Sequence, residues 1–199
     1  MRECSVPAVA TVPAEGNLTD IIRTNAAEAP DAPVLSRKVD GRWNDVTSTQ
    51  FQAEVYAAAK GLIASGIAPG DRVALMSRTR YEWCLLDFAI WCAGAITVPI
   101  YETSSAEQIE WILTDSGATA CVVETAGHEA VLAGIRGNVP ELKHLWRMDE
   151  GDSPAVEEAL AEAGAGLADA EVEERCAGLT GDSTATLIYT SGTTGRPKG

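Results

Sequence analysis

Histidine is scarce in this chain: His128 and His144 stand alone among 199 residues, and neither has a Cys or His at ligand spacing. That excludes a histidine-based metal cage, and no metal residue is assigned. The five cysteines, Cys4, Cys84, Cys92, Cys121 and Cys176, form no C-x-x-C pair. Three of them sit in apolar runs, so they read as small core fillers with reduced thiols, as in a cytoplasmic protein. Long apolar runs are missing as well. The most apolar stretch, 84–100, is interrupted by Asp87 and Pro99 and reads as a helix running into a strand, with no transmembrane segment. The first residues carry Arg2, Glu3, Pro7 and Pro13 and lack the unbroken apolar region of a signal peptide. Basic residues are few, 15 Lys and Arg against 29 Asp and Glu. The net charge of −14 disfavours nucleic acid and anionic membrane as partners. Neither G-x-x-x-x-G-K-[ST] nor G-x-G-x-x-G occurs, which weighs against the common nucleotide-hydrolase and dinucleotide folds.

What the chain does have is apolar content, 46%, and a length that supports one sizeable core. The acidity is uneven. Residues 149–174 hold ten Asp or Glu and no Lys or Arg, and so contribute −10 of the −14. Beyond Asp182 the only charged residues are Arg196 and Lys198, which makes the end of the chain locally positive.

Residues 1–16 read as a loose N-terminal tail. Residues 18–29 have helical composition, with Leu18, Ile21 and Ile22 on one apolar face. Asp40-Gly41 between two β-forming runs, 34–38 and 42–46, predicts a hairpin with a type I′ turn. Thr47 with Gln50, Thr79 with Glu82, and Ser104 with Glu107 match the capping-box spacing and open three helices. The first carries Phe51, Val55, Ala58, Ala59 and Leu62. The second carries Tyr81, Cys84, Leu85, Phe88, Trp91 and Cys92, and the third Ile109, Ile112 and Leu113. Strands are predicted over 71–77, 95–100, 119–124, 144–148 and 184–190, with a helix over 129–136. Ser153-Pro154 reads as an N-cap and first helical residue. The Ala/Glu/Gly-rich run 155–170 reads as an exposed helix and linker, and 171–177 as a further short helix. Strands alternating with helices predict an α/β fold with a mostly parallel, doubly wound sheet and flanking helices. Ligands of such sheets bind beyond the carboxyl ends of the strands.

The predicted strand 184–190 runs into "SGTTGRPKG", residues 191–199. Glycines there permit positive φ and close approach of a ligand to the backbone. Backbone N–H groups converging in such a turn form an anion nest. Ser191, Thr193 and Thr194 add hydroxyl donors, Lys198 a mobile point charge and Arg196 a second cation. Pro197 stiffens the turn before the lysine. These features together suit a polyphosphate.

"YTSGTTGRPKG", residues 189–199, resembles the phosphate loop of the adenylate-forming, or AMP-binding, enzymes: acyl-CoA synthetases, luciferases and peptide-synthetase adenylation domains. All eleven positions fit that pattern. "VPIYETSSAEQIEWILTDSGA", 98–118, and "GDRVALMSRTRYEW", 70–83, resemble the corresponding parts of bacterial long-chain fatty acid–CoA ligases. The resemblance implies that residues 17–199 are an incomplete N-terminal AMP-binding domain ending in its phosphate loop. It implies an enzyme that joins a fatty acid to ATP as an acyl-adenylate, then transfers the acyl group to coenzyme A, with Mg²⁺ as the metal. Thr190, Ser191, Gly192, Thr193, Thr194, Gly195 and Lys198 would hold the β- and γ-phosphates. The Mg²⁺ carboxylate, the ribose aspartate and the adenylation lysine would lie beyond Gly199, in a missing C-terminal part. By itself the 199-residue chain is then expected to be inactive and to bind ATP weakly, with residues 191–199 mobile. Other readings are an adenylation domain that loads a carrier protein, a non-catalytic remnant acting as a binding module, and an unrelated nucleotide-binding protein. Trp83, Trp91, Tyr101 and Trp111 are better explained as packing than as the border of an acyl channel.

Overall fold

The computed structural model describes residues 15–149, 155–190 and 196–199. The capping box on Thr47 and Gln50 forms as predicted and opens α2 (Ser48–Ala64). The hairpin before it pairs β1 (Pro33–Val39) with β2 (Arg42–Thr47), antiparallel. Asp40 and Gly41 take φ of 50° and 78°, the two positive values a type I′ turn requires.

Four parallel strands follow: β3 (Arg72–Met76), β4 (Ile96–Ile100), β5 (Ala120–Val123) and β6 (His144–Arg147), in the spatial order β4-β3-β5-β6. Helices α3 (Tyr81–Cys92), α4 (Ala106–Ser116) and α5 (Ala126–Ile135) make the crossovers. Because side chains alternate across a strand, β3 and β5 feed two cores. Val73, Leu75, Ala120 and Val122 pack with α2 and α3, while Ala74, Met76, Cys121 and Val123 pack with α4 and α5. The doubly wound expectation is met. Arg72 ties strand to helix. Its guanidinium donates to the carbonyls of Ser116 and Gly117, each at 2.7 Å, where the carboxyl end of α4 favours a cation.

Several local expectations are corrected. Among the three apolar residues 18, 21 and 22, only Ile22 is buried, in α1 (Asp20–Glu28). The second capping box does not form. The cap of α3 is Arg80, and Glu82 pairs with its guanidinium instead of reaching back to the backbone. The third box forms one residue later, on Ser105 and Gln108. The deep stripe of α3 is Leu85, Leu86, Ala89, Ile90 and Cys92, whereas Tyr81, Cys84, Phe88 and Trp91 are half-buried. Helix α5 starts three residues earlier than predicted, on a Thr125 cap. Ser153-Pro154 lies outside the described residues.

The acidic run is not an exposed helix. Helix α6 (Val156–Gly164) buries Val156, Leu160 and Gly164 against α2, and α7 (Asp169–Ala177) buries Val172 and Cys176. A Cβ on Gly61 of α2 would stand 2.2 Å from the Leu160 carbonyl oxygen, and one on Gly164 2.5 Å from the Gly61 nitrogen. Two glycines facing each other let these backbones touch.

Candidate functional site

Residues 184–190 do not form a regular strand. They make one parallel bridge, Thr186 to Thr97, on the outer edge of β4. The Thr97 N–H donates to the Ala185 carbonyl at 3.1 Å, and the Leu187 N–H donates to the Thr97 carbonyl at 2.9 Å. The Trp91 indole donates to the same Ala185 carbonyl at 2.8 Å. Leu187 is half-buried against the α4 side of the core, while Ile188 is 60% exposed. The segment therefore gives the core Leu187 and not Ile188, less than a regular strand at 184–190 would bury.

The segment reaches the carboxyl end of the sheet at Thr190. There Thr190 and Lys198 form an antiparallel bridge with two backbone hydrogen bonds, of 3.0 and 3.1 Å. This bridge joins the two ends of the predicted phosphate loop. Its flanks rest on α4. The Trp111 indole donates to the Pro197 carbonyl at 2.8 Å, and the Arg196 guanidinium lies over the Trp111 ring at 4.7 Å. One helical turn on, Asp115 accepts from the Tyr189 hydroxyl at 2.7 Å. Burial, reinforced by that carboxylate, raises the Tyr189 phenol above its ordinary pKa. Gly199 packs on the Tyr189 ring, where a Cβ would come within 2.8 Å. The expected untied end is not found at residues 196–199.

The AMP-binding enzyme family matches residues 22–199. The chain belongs to this family. Over all 199 residues it is 48% identical to the long-chain-fatty-acid–CoA ligase FadD15 of Mycobacterium bovis and covers 33% of that protein. The Mycobacterium tuberculosis protein of the same name is 47% identical, with the same coverage. The chain thus spans about a third of the length of these curated relatives. The N-terminal domain of FACL13 from Mycobacterium tuberculosis is a structural neighbour with a TM-score of 0.72 and 30% identity, over 92% of this chain and 43% of that one. The anthranilate CoA ligase AuaEII in complex with anthranoyl-AMP superposes with a TM-score of 0.75 at 26% identity, over 94% of this chain and 34% of that one.

Of the residues expected from the sequence to hold the ATP phosphates, Thr190 and Lys198 meet in the bridge. Ser191, Gly192, Thr193, Thr194 and Gly195 lie outside the described residues. Trp111, Asp115 and Tyr189 were not read as a group, although Trp111 and Asp115 stand four apart on one helix face. Of the other aromatics weighed as a channel border, Trp83 packs on the core and Tyr101 is 75% exposed. Trp91 lines an apolar cavity of about 590 Å³ together with Leu18, Ala95, Leu179 and Ala185. Exposed Leu18 therefore faces this cavity instead of the core.

A second polar cluster lies at the carboxyl ends of β3, β5 and β6. Glu124, only 3% exposed, accepts from the Arg78 backbone N–H at 3.1 Å and from the Arg78 guanidinium at 2.7 Å. Arg80 spans Glu82, Glu124 and Asp149. Each buried carboxylate here has a cationic or N–H partner, as a structural ion-pair network requires. Among the described residues no group of three or more His, Cys, Asp or Glu is arranged to hold a metal ion.

Proposed function

We propose that this chain is the N-terminal part of an ATP-dependent acyl-CoA synthetase. The enzyme activates a long-chain fatty acid as its acyl-adenylate and passes the acyl group to coenzyme A. The observation that carries this reading is the eleven-residue loop motif, 189–199, closed by the Thr190–Lys198 bridge at the carboxyl end of a parallel sheet. Support for the substrate class comes from the relatives that align with the whole chain, which are named as long-chain-fatty-acid–CoA ligases.

In the first half-reaction the carboxylate attacks the α-phosphorus of MgATP. The bond to the bridging oxygen breaks and pyrophosphate leaves with the electron pair. Charge therefore grows on the β- and γ-phosphates, and groups that hold those phosphates stabilise the leaving group. Thr190, Ser191, Gly192, Thr193, Thr194, Gly195 and Lys198 are assigned to that grip. The loop supplies N–H and hydroxyl donors, and Lys198 supplies a positive charge. None of them moves a proton. Mg²⁺ arrives with the nucleotide. Coenzyme A then attacks the acyl carbon and AMP departs. The acidic surface, with no described helix long and apolar enough to cross a membrane, agrees with work on small molecules in the cytoplasm.

The test is fatty-acid-dependent ATP–pyrophosphate exchange by the full gene product. Lys198→Ala should slow exchange by the amount typical of one lost transition-state donor, about 2.7–4 kcal/mol, or 10²–10³-fold. Exchange at the wild-type rate in that variant would remove Lys198 from the site. No exchange with any fatty acid in the wild type would overturn the reading itself.

A further inference from the structure

A loop that grips phosphates through backbone N–H groups works only if its two ends are fixed. Two residues of one helix, Trp111 and Asp115, converge on this task. On α4, Trp111 offers both its edge and its face to the loop's exit. The indole N–H holds the Pro197 carbonyl, and the ring carries the Arg196 guanidinium. Asp115, one turn later, holds the Tyr189 hydroxyl at the loop's entry. Between the two attachments lies the Thr190–Lys198 bridge. Helix α4 is itself held at both ends. It has a capping box at Ser105 and Gln108, a Gly117 end with φ of 62°, and Arg72 locking its last carbonyls.

We propose that α4 is the seat of the phosphate loop, with Trp111 its positioning residue and Asp115 the second anchor. The inference rests on the loop reading above and adds to it. Trp111 touches no phosphate. It acts through the Pro197 carbonyl, setting where the next residue, Lys198, leaves the backbone. It also gives the two cations different roles. Arg196 stacks on the indole and helps dock the loop, and Lys198 is the cation that faces the ligand. A substitution at Trp111 that keeps an aromatic ring against the core should therefore change loop order and phosphate affinity together.

The experiment uses the purified 199-residue chain, with inorganic tripolyphosphate as the probe. Amide hydrogen exchange is measured at Thr190 and Lys198, whose N–H groups form the bridge. Trp111→Phe keeps a ring but removes the N–H. It should speed exchange at both amides about fivefold to tenfold, the worth of one hydrogen bond. Tripolyphosphate binding, followed by amide chemical shifts, should weaken by about twofold or more as the docked fraction of the loop falls. The urea midpoint should stay at the wild-type value, and Trp43→Phe, at a ring that is 70% exposed, should change none of the three. Tyr189→Phe, which removes the hydroxyl held by Asp115, should loosen the Thr190 amide in the same way. Wild-type exchange or wild-type affinity in Trp111→Phe overturns the positioning role. Failure of the wild-type chain to bind tripolyphosphate at all overturns instead the phosphate reading on which that role rests.

Discussion

His144 shows how a half-buried position on the edge strand of the sheet translates into a signed pH effect. It opens β6, its ring stacked on Trp146 at 5.2 Å and 6° between planes. Burial first, then the cations of Lys143 and Arg136, hold its pKa below the ordinary 6.5. The unfolded imidazole therefore takes up a proton at a higher pH than the native one. In that window the unfolded state binds more protons, so stability rises with pH. The contribution is fully present above the unfolded pKa and is lost as pH falls through it toward the native value. Urea midpoints of the wild type should drop between about pH 7 and pH 6. His144→Phe keeps a ring to stack and should show a shallower drop; an equal slope in both would remove His144 as the cause. The same residue-by-residue view explains why the loop's anchors went unread. A tryptophan and an aspartate four apart on a helix are common on any surface. Only the tertiary placement of Tyr189, Arg196 and Pro197 against α4 gives the pair a task.

At the scale of elements, the parts that sequence spacing could identify were those whose signals are local. The hairpin follows from Asp40-Gly41, and α2 follows from Thr47 and Gln50, because in each case the deciding contacts lie within a few residues. Strands β3, β4 and β5 were legible for the same reason, each a short, mostly apolar run between breaks, whereas β6 has only Leu145 and Trp146 between His144 and Arg147. Two errors share one origin, a competing partner. Ser104 and Ser105 offer two cap registers with acceptable third residues, and the fold takes the later one. Arg80 captures Glu82 before it can complete a cap. The misreading of 155–170 is of another kind. Its glycines look like linker residues, yet Gly164 meets Gly61 where α6 crosses α2. Such a contact between residues 103 apart leaves no trace in either segment alone. Gly61→Ala should accordingly destabilise the chain by about 1–3 kcal/mol in urea unfolding, since the added methyl meets backbone that has nowhere to move. Gly134→Ala, in α5 with open space around it, should instead stabilise by up to about 1 kcal/mol. Equal effects at the two sites would contradict the close crossing.

On the scale of the whole molecule, the layers separate the charge from the loop. The run 149–174 carries −10 of the net −14, and seven of those acids stand on α6 and α7, on the α2–α3 side of the sheet. The loop is seated on α4, on the other side. Crossing from one helix layer through the sheet to the other covers two interlayer spacings, about 20 Å. That exceeds the screening length of about 8 Å at 0.15 M ionic strength and falls inside the length of about 30 Å at 0.01 M. A triphosphate approaching Lys198 should feel the acidic block only at low salt. Glu162, Glu173 and Glu174 are exposed on these helices, so exchanging all three for Gln removes three charges without opening a core. Calorimetric titration of the chain with MgATP should then show tighter binding by the triple variant at about 0.01 M ionic strength and equal binding at about 0.15 M. In both salts the affinity should remain weak, in the millimolar range, because the proposed loop holds phosphates and leaves adenine and ribose without partners. A difference between the variants that persists at the higher salt would place the acidic block beside the loop. Micromolar binding by either would show that these 199 residues grip far more of the nucleotide than its phosphates.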